Sequence, residues 1–147
     1  MWSFQHNYSA PSQILSHPLF VQITTRMLMK SDERTLSKFV LYSAHDSTLS
    51  ALFLFMGLFE GDWLQYGTRV AFELWGKKTF KNLKDDKNFL KNYMIRILVN
   101  GKVVTHKVNF CREKLQFKEF CPAEELSKVL SKAGPNGMRE YYRHLCE

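Results

Sequence analysis

Apolar residues recur along this chain at two spacings, and the points where the spacing changes mark its elements. Leu19, Phe20, Ile23, Met27 and Leu28 stand at helical intervals. Pro18 suits the first turn of that helix, because its missing N–H would have no partner there anyway. The helix is expected to end near Lys30, with residues 1–16 irregular before it and a polar connection, Ser31-Asp32-Glu33-Arg34, after it. Phe39-Val40-Leu41-Tyr42 is a short run of β-formers, which predicts a buried strand. Helical spacing returns at Leu49, Leu52, Phe53 and Met56, and Gly57 suits the stop. Residues 70–75 and 93–99 read as strands. Asn100-Gly101 between the second of these and Lys102-Val103-Val104 predicts a hairpin, since both turn positions tolerate a positive φ. Pro122 opens an expected helix through Leu130, with Glu124 and Glu125 in its first turn, where acids favour the helix dipole. A last short helix is expected over 138–145. The order of elements is mixed α and β.

This pattern sets His45-Asp46 where a strand feeds a helix. In α/β sheets ligands gather at the carboxyl ends of strands. A helix N-terminus adds unpaired N–H groups and partial positive charge, which suit a phosphate. There His45, when protonated, can donate hydrogen bonds to phosphate oxygens, and Asp46 can deliver a proton to a leaving oxygen. From the dipeptide alone a blander role is the commoner one: Asp46 as the helix N-cap, and His45 as a turn histidine.

Composition narrows the field. With 147 residues the chain can hold one ordinary core, and 45% hydrophobic content with twelve Phe, six Tyr and three Trp is globular. The formal charge of +7 raises nucleic acid as a partner. The lysines are scattered, however, and the denser stretch from Lys77 to Lys91 also holds Asp85 and Asp86. Residues 76–91 are therefore read as a Lys-rich surface insertion. No RNA-recognition signature or zinc-finger spacing accompanies the charge, so no specific nucleic acid is expected. Three cysteines, Cys111, Cys121 and Cys146, form no C-x-x-C pair, and no metal site is expected. Asn7-Tyr8-Ser9 fits the glycosylation triplet. Residues 1–10 show no signal-peptide pattern. The longest apolar run, 49–59, is too short for a transmembrane segment and is broken by Ser50 and Gly57.

The stretch Lys38-Phe39-Val40-Leu41-Tyr42-Ser43-Ala44-His45-Asp46-Ser47-Thr48-Leu49 closely resembles the second signature of the histidine acid phosphatases. That signature is an apolar strand, Ser-Ala-His-Asp, hydroxyl residues and an apolar helix. Other segments resemble family elements in the same order: His17-Pro18-Leu19-Phe20 the preceding helix start, 66–74 the next strand, 93–101 the following hairpin, and 111–122 a Cys…Cys-Pro element. The likeness covers most of the chain from His17 onward. It implies the C-terminal part of a phosphoglycerate-mutase-like, three-layer α/β/α fold, with 1–147 one partial domain that is incomplete without an N-terminal half. It further implies hydrolysis of phosphomonoesters through a phosphohistidine, with Asp46 as proton donor and His45 as phosphate ligand. Arginines would hold the phosphoryl oxygens. A phosphomonoester or inorganic phosphate is the implied ligand, no cofactor is implied, and the implied location is secreted or lumenal/lysosomal.

One part of the family pattern is not found in these residues. The family's attacking histidine lies in Arg-His-Gly-x-Arg-x-Pro, and no Arg-His-Gly occurs here. The only Arg-His, Arg143-His144, has neither the glycine nor the second arginine nor the proline. His6, His17 and His106 have no motif around them. The implied partner is thus an N-terminal half or another protein chain that brings the nucleophile. The alternative is a non-catalytic interaction or structural subunit that keeps a phosphatase-fold remnant. Cys111 and Cys121 can pair across a short loop or remain buried thiols. If they pair, Cys146 is left over, and its family counterpart pairs back into the cap domain.

Overall fold

The computed structural model describes residues 9–31, 37–76 and 89–132. Three helices, α1 (Ser9–Ser31), α2 (Asp46–Met56) and α3 (Glu124–Lys132), accompany a sheet of β1 (Val70–Gly76), β2 (Tyr93–Val99), β3 (Lys102–Val103) and β4 (Cys121–Pro122). Helices and sheet together give the mixed α/β class expected from the sequence. β2 is the centre of the sheet: β1 flanks it on one side, and β3 and β4 share the other, all antiparallel.

Alternation along β2 decides which face is core. Ile95 and Ile97 are fully buried, while Arg96 between them points to the other face and pairs with Glu73 of β1. Burying two isoleucines stabilises the fold by roughly 1.5–3 kcal/mol each. Against them pack Leu52, Phe53 and Met56 of α2, Phe20 of α1 and Leu126 of α3. Phe20 is fully buried, with its ring centroid 4.8 Å from that of Phe55 and 5.8 Å from that of Phe110. It fastens α1 to α2 and to the loop after β3.

The turns behave as their residues dictate. Asn100 and Gly101 take φ values of 51° and 80°, the left-handed pair that a tight hairpin needs. Asn100 also accepts a hydrogen bond from the Arg69 N–H through its side chain (2.9 Å), which ties the hairpin to the start of β1. Gly57 ends α2 at φ 73°, and its N–H and that of Leu58 return to the last carbonyls of the helix. On the outer face Arg96 lies over the rings of Trp75 and Phe120, at 4.9 and 5.5 Å, and bonds Glu73 at 2.8 Å. Burial pushes the Glu73 carboxyl up, but hydrogen bonds from Arg96 and Trp75 outweigh that and hold it below the usual carboxylate value.

Four expectations change. The first helix starts at Ser9, not at Pro18, so part of the stretch expected to be irregular is helical and Pro18 lies inside a helix. An interior proline forfeits one backbone bond and crowds the preceding turn; packing of α1 on the core, through buried Ser16, Phe20 and Thr24, outweighs that cost. Second, residues 39–42 form no strand ladder with any described residue, and Phe39 and Leu41 are 80% and 79% exposed. Third, Pro122 belongs to β4, opposite Met94, so α3 begins two residues later than expected. Fourth, the N-cap of α2 is His45; Asp46 is the first helical residue and not the cap. Gly76 ends β1 and residues 89–92 form a 3-10 turn, so both ends of the expected insertion belong to regular elements. Residues 77–88, the expected helix at 138–145, Arg143-His144 and Cys146 lie outside the described residues.

Cys111 and Cys121 form a disulfide, with Cα atoms 5.5 Å apart and both residues fully buried. The bridge closes a loop of sequence separation 10 and secures β4 beside β2. Replacing both cysteines with alanine should lower stability by about 3 kcal/mol, the value that loop entropy gives for so short a loop. Urea unfolding of the two proteins checks this; equal midpoints would contradict it.

Candidate active site at the start of helix α2

Nine residues, 37–45, lead into α2 without helix or strand, and all but Tyr42 are exposed. Among the described residues no backbone N–H or C=O of 39–44 has a hydrogen-bond partner. Val40 is 40% exposed and Tyr42 partly buried, so this side of the segment leans on the protein while Phe39 and Leu41 face outward. The alternation is that of a strand, with the inner face resting near α1 and the outer one uncovered. Beside it runs a groove of about 550 Å³ lined by Val21, Arg26 and Met29 of α1 and by Ser37 and Val40.

His45 ends the segment in extended conformation (φ −84°, ψ 163°), and its carbonyl accepts the N–H groups of Thr48 and Leu49, both at 3.1 Å. This starts the helix without help from the His45 side chain, which makes no capping bond and is exposed. Among the described residues the His45 imidazole has no hydrogen-bond partner. Asp46 follows, half-buried, and both of its oxygens are engaged. Oδ1 accepts the Ser47 N–H at 2.7 Å, and Oδ2 accepts the indole N–H of Trp63 at 3.2 Å. An aspartate in the first turn is also stabilised by the helix dipole. The two candidate residues thus sit side by side, at a helix N-terminus that favours an anion, with the acid fixed in orientation and the histidine open to a ligand.

Trp63 is the residue that sequence reasoning missed. It lies 17 positions from Asp46, on the loop that follows α2, and no local motif links the two. The two candidate cysteines stand apart from this site, in the loop after β3 and in β4. His106 is exposed in a 3-10 turn, Thr105–Lys107, with no motif partner. Among the described residues no three His, Cys, Asp or Glu side chains gather as a metal ion would need. No helix of the described residues is long and apolar enough to cross a membrane.

The model of the histidine phosphatase superfamily, branch 2, matches residues 9–100, which span α1, the His45-Asp46 turn, α2, β1 and β2. The chain belongs to that superfamily. Its curated relatives include 2-phosphoxylose phosphatase 1 of Xenopus tropicalis, 34% identical over 119 residues, and that of Homo sapiens, 33% identical over 127. The matches cover 80% and 85% of this chain but 22% and 25% of those relatives. The counterpart in Danio rerio is 30% identical over 123 residues, covering 78% of this chain and 24% of the relative. The chain therefore spans about a quarter of the length of these phosphatases. No solved structure matches it. The resemblance to histidine phosphatases read from the Ser-Ala-His-Asp signature is thereby shown for the superfamily.

Proposed function

We propose that this chain carries one half of a phosphomonoesterase site, in which His45 binds the phosphoryl group and Asp46 protonates the leaving oxygen. An attacking histidine and its arginines come from an N-terminal half or from another chain. The observation that carries this reading is the exposed His45 imidazole, without a hydrogen-bond partner among the described residues, beside an oriented Asp46 at an anion-favouring helix start inside the matched family segment. His45⁺ would donate to phosphate oxygens, and the α2 amides add positive potential. As the attacking histidine bonds phosphorus, the P–O bond to the alcohol would break and the departing oxygen would take the proton of Asp46, which leaves the phosphohistidine for water to hydrolyse. The named relatives act on 2-phosphoxylose, which makes a phosphorylated sugar the first substrate class to test.

The uncovered segment 39–44 supports the same division of labour. Its backbone, unpaired among the described residues, and the exposed Phe39 and Leu41 side chains are what a strand presents before a neighbour is added. Covering those two side chains would stabilise a complex by roughly 1.5–3 kcal/mol each. The domain reading, with 1–147 a partial domain and 76–91 a surface insertion, belongs to this proposal. A secretory or lumenal setting does too, and the Cys111–Cys121 disulfide supports it, because such bonds persist in oxidising compartments.

The test is complementation. The purified 147-residue chain is expected to hydrolyse no p-nitrophenyl phosphate at acid pH. Co-production with a polypeptide that carries Arg-His-Gly-x-Arg-x-Pro is expected to give turnover that His45→Ala removes. Robust turnover by the chain alone, lost on His45→Ala, would place the nucleophile within these residues. A stable complex with a partner of no phosphatase character, and no turnover in any combination, would favour the non-catalytic subunit.

A further inference from the structure

The loop between α2 and β1 is long enough to wander, yet its tip returns to the beginning of the helix it has just left. Leu58 is buried at one end of the loop and Leu64 packs against the core further on. Glu60 is held by Lys107 at 2.8 Å, and the hydrogen bond and charge of that ammonium keep its carboxyl below the ordinary value. Gly61, at φ 96°, reverses the chain in a conformation that a side chain would strain. On the far side Thr68 closes a turn on the Gln65 carbonyl through both its hydroxyl (2.6 Å) and its N–H (3.2 Å). Between these anchors Trp63 is 71% exposed, but its indole N–H reaches Asp46 Oδ2 at 3.2 Å.

From this geometry we infer that Trp63 is a positioning residue for Asp46, acting through the indole N–H bond to Oδ2. This rests on the proposed role of Asp46 as proton donor. A carboxyl group that must hand a proton to one oxygen of a departing alcohol needs a fixed plane as well as a place. The Ser47 N–H fixes one oxygen and Trp63 the other, so rotation of the carboxylate breaks a bond on either side. Indole donates but has no acceptor, so it cannot take the proton itself. Each Asp46 oxygen keeps a second lone pair, and the proton to be delivered sits there. Without the indole, only the Ser47 N–H would hold the carboxylate, leaving its plane less fixed at a half-exposed site, and small misplacements at a reacting atom are costly in rate.

The test has one arm that needs no activity. The chain has three tryptophans, so its ¹H–¹⁵N spectrum offers three indole signals, and Trp63→Phe identifies the one from Trp63. At fixed neutral pH, Asp46→Asn is expected to move the Trp63 signal. The Trp75 indole, which bonds Glu73 at 3.0 Å, should stay in place and serves as the internal control. An unmoved Trp63 signal would overturn the inference. The second arm uses the complemented enzyme. Trp63→Phe should lower kcat for an alkyl phosphate about 10-fold with KM little changed. The effect on p-nitrophenyl phosphate, whose leaving group departs without a proton, should be far smaller. Loss of rate in Asp46→Asn but not in Trp63→Phe would overturn the positioning role. An Asp46→Asn enzyme with undiminished alkyl phosphate turnover would instead refute the proton-donor reading, while the spectral result stands by itself.

Discussion

Replacing Asp46 with asparagine is expected to lower kcat of the complemented phosphatase on alkyl phosphates by about 10²- to 10⁴-fold, the usual worth of a positioned general acid. The reasoning starts from the leaving group. An alkoxide is a poor leaving group near neutral pH, and a proton delivered as the bond breaks removes most of that difficulty. Asparagine keeps the shape of the side chain and its one oxygen can still accept the Ser47 N–H at the helix start, so the fold of α2 should survive even though its NH2 cannot accept the Trp63 indole bond. What it lacks is a transferable proton. p-Nitrophenolate leaves readily without one, so the same variant should keep most of its rate on p-nitrophenyl phosphate. Steady-state kinetics over a series of leaving groups of rising pKa checks this: the slope of log kcat against that pKa should steepen in Asp46→Asn. Equal losses across the series would mean that Asp46 serves only to hold the helix start.

The largest effect on stability is expected from Phe20→Ala, at about 3–5 kcal/mol. Phe20 is fully buried, and its ring stands against Phe55 of α2 and Phe110 beyond β3, so its removal opens a cavity where three parts of the chain meet. The aromatic pairs add something beyond area, about 0.5–1.5 kcal/mol each in other proteins. Domains of this size have only about 5–15 kcal/mol in total, so the variant should sit near the edge of folding. Urea unfolding followed by far-ultraviolet circular dichroism gives the number. Met29→Ala, on the same helix but 42% exposed, is the control and should cost far less. If the two variants unfolded at the same urea concentration, α1 would not be docked as described.

Both predictions draw on features of different legibility. His45-Asp46 could be read from the chain because the signature around it is contiguous, and the family segment that matches, 9–100, contains it. Trp63 could not, because its link to Asp46 is made by the path of a loop and leaves no trace in spacing. The disulfide lay between. Two cysteines ten apart permit a bridge, but a bridge and two buried thiols look alike until the Cα atoms are found 5.5 Å apart.

The same divide runs through the fold. The sequence by itself determined the β2–β3 hairpin, through Asn100-Gly101, and the end of α2, through Gly57. It also determined the placement of His45-Asp46 at the start of an apolar helix. Each of these is local: a turn needs residues that accept positive φ, and a helix needs its period and its stop. Only the tertiary structure decided that α1 runs on through Pro18, because the core contacts of Phe20 and Thr24 outweigh the lost backbone bond. It also decided that Pro122 pairs in the sheet before α3 begins. Residues 39–42 have the composition of a strand, but strand is a relation between two backbones, and among the described residues nothing pairs with them. Hydrophobic pattern specifies what a segment would bury; what it is buried against depends on chain far away in sequence.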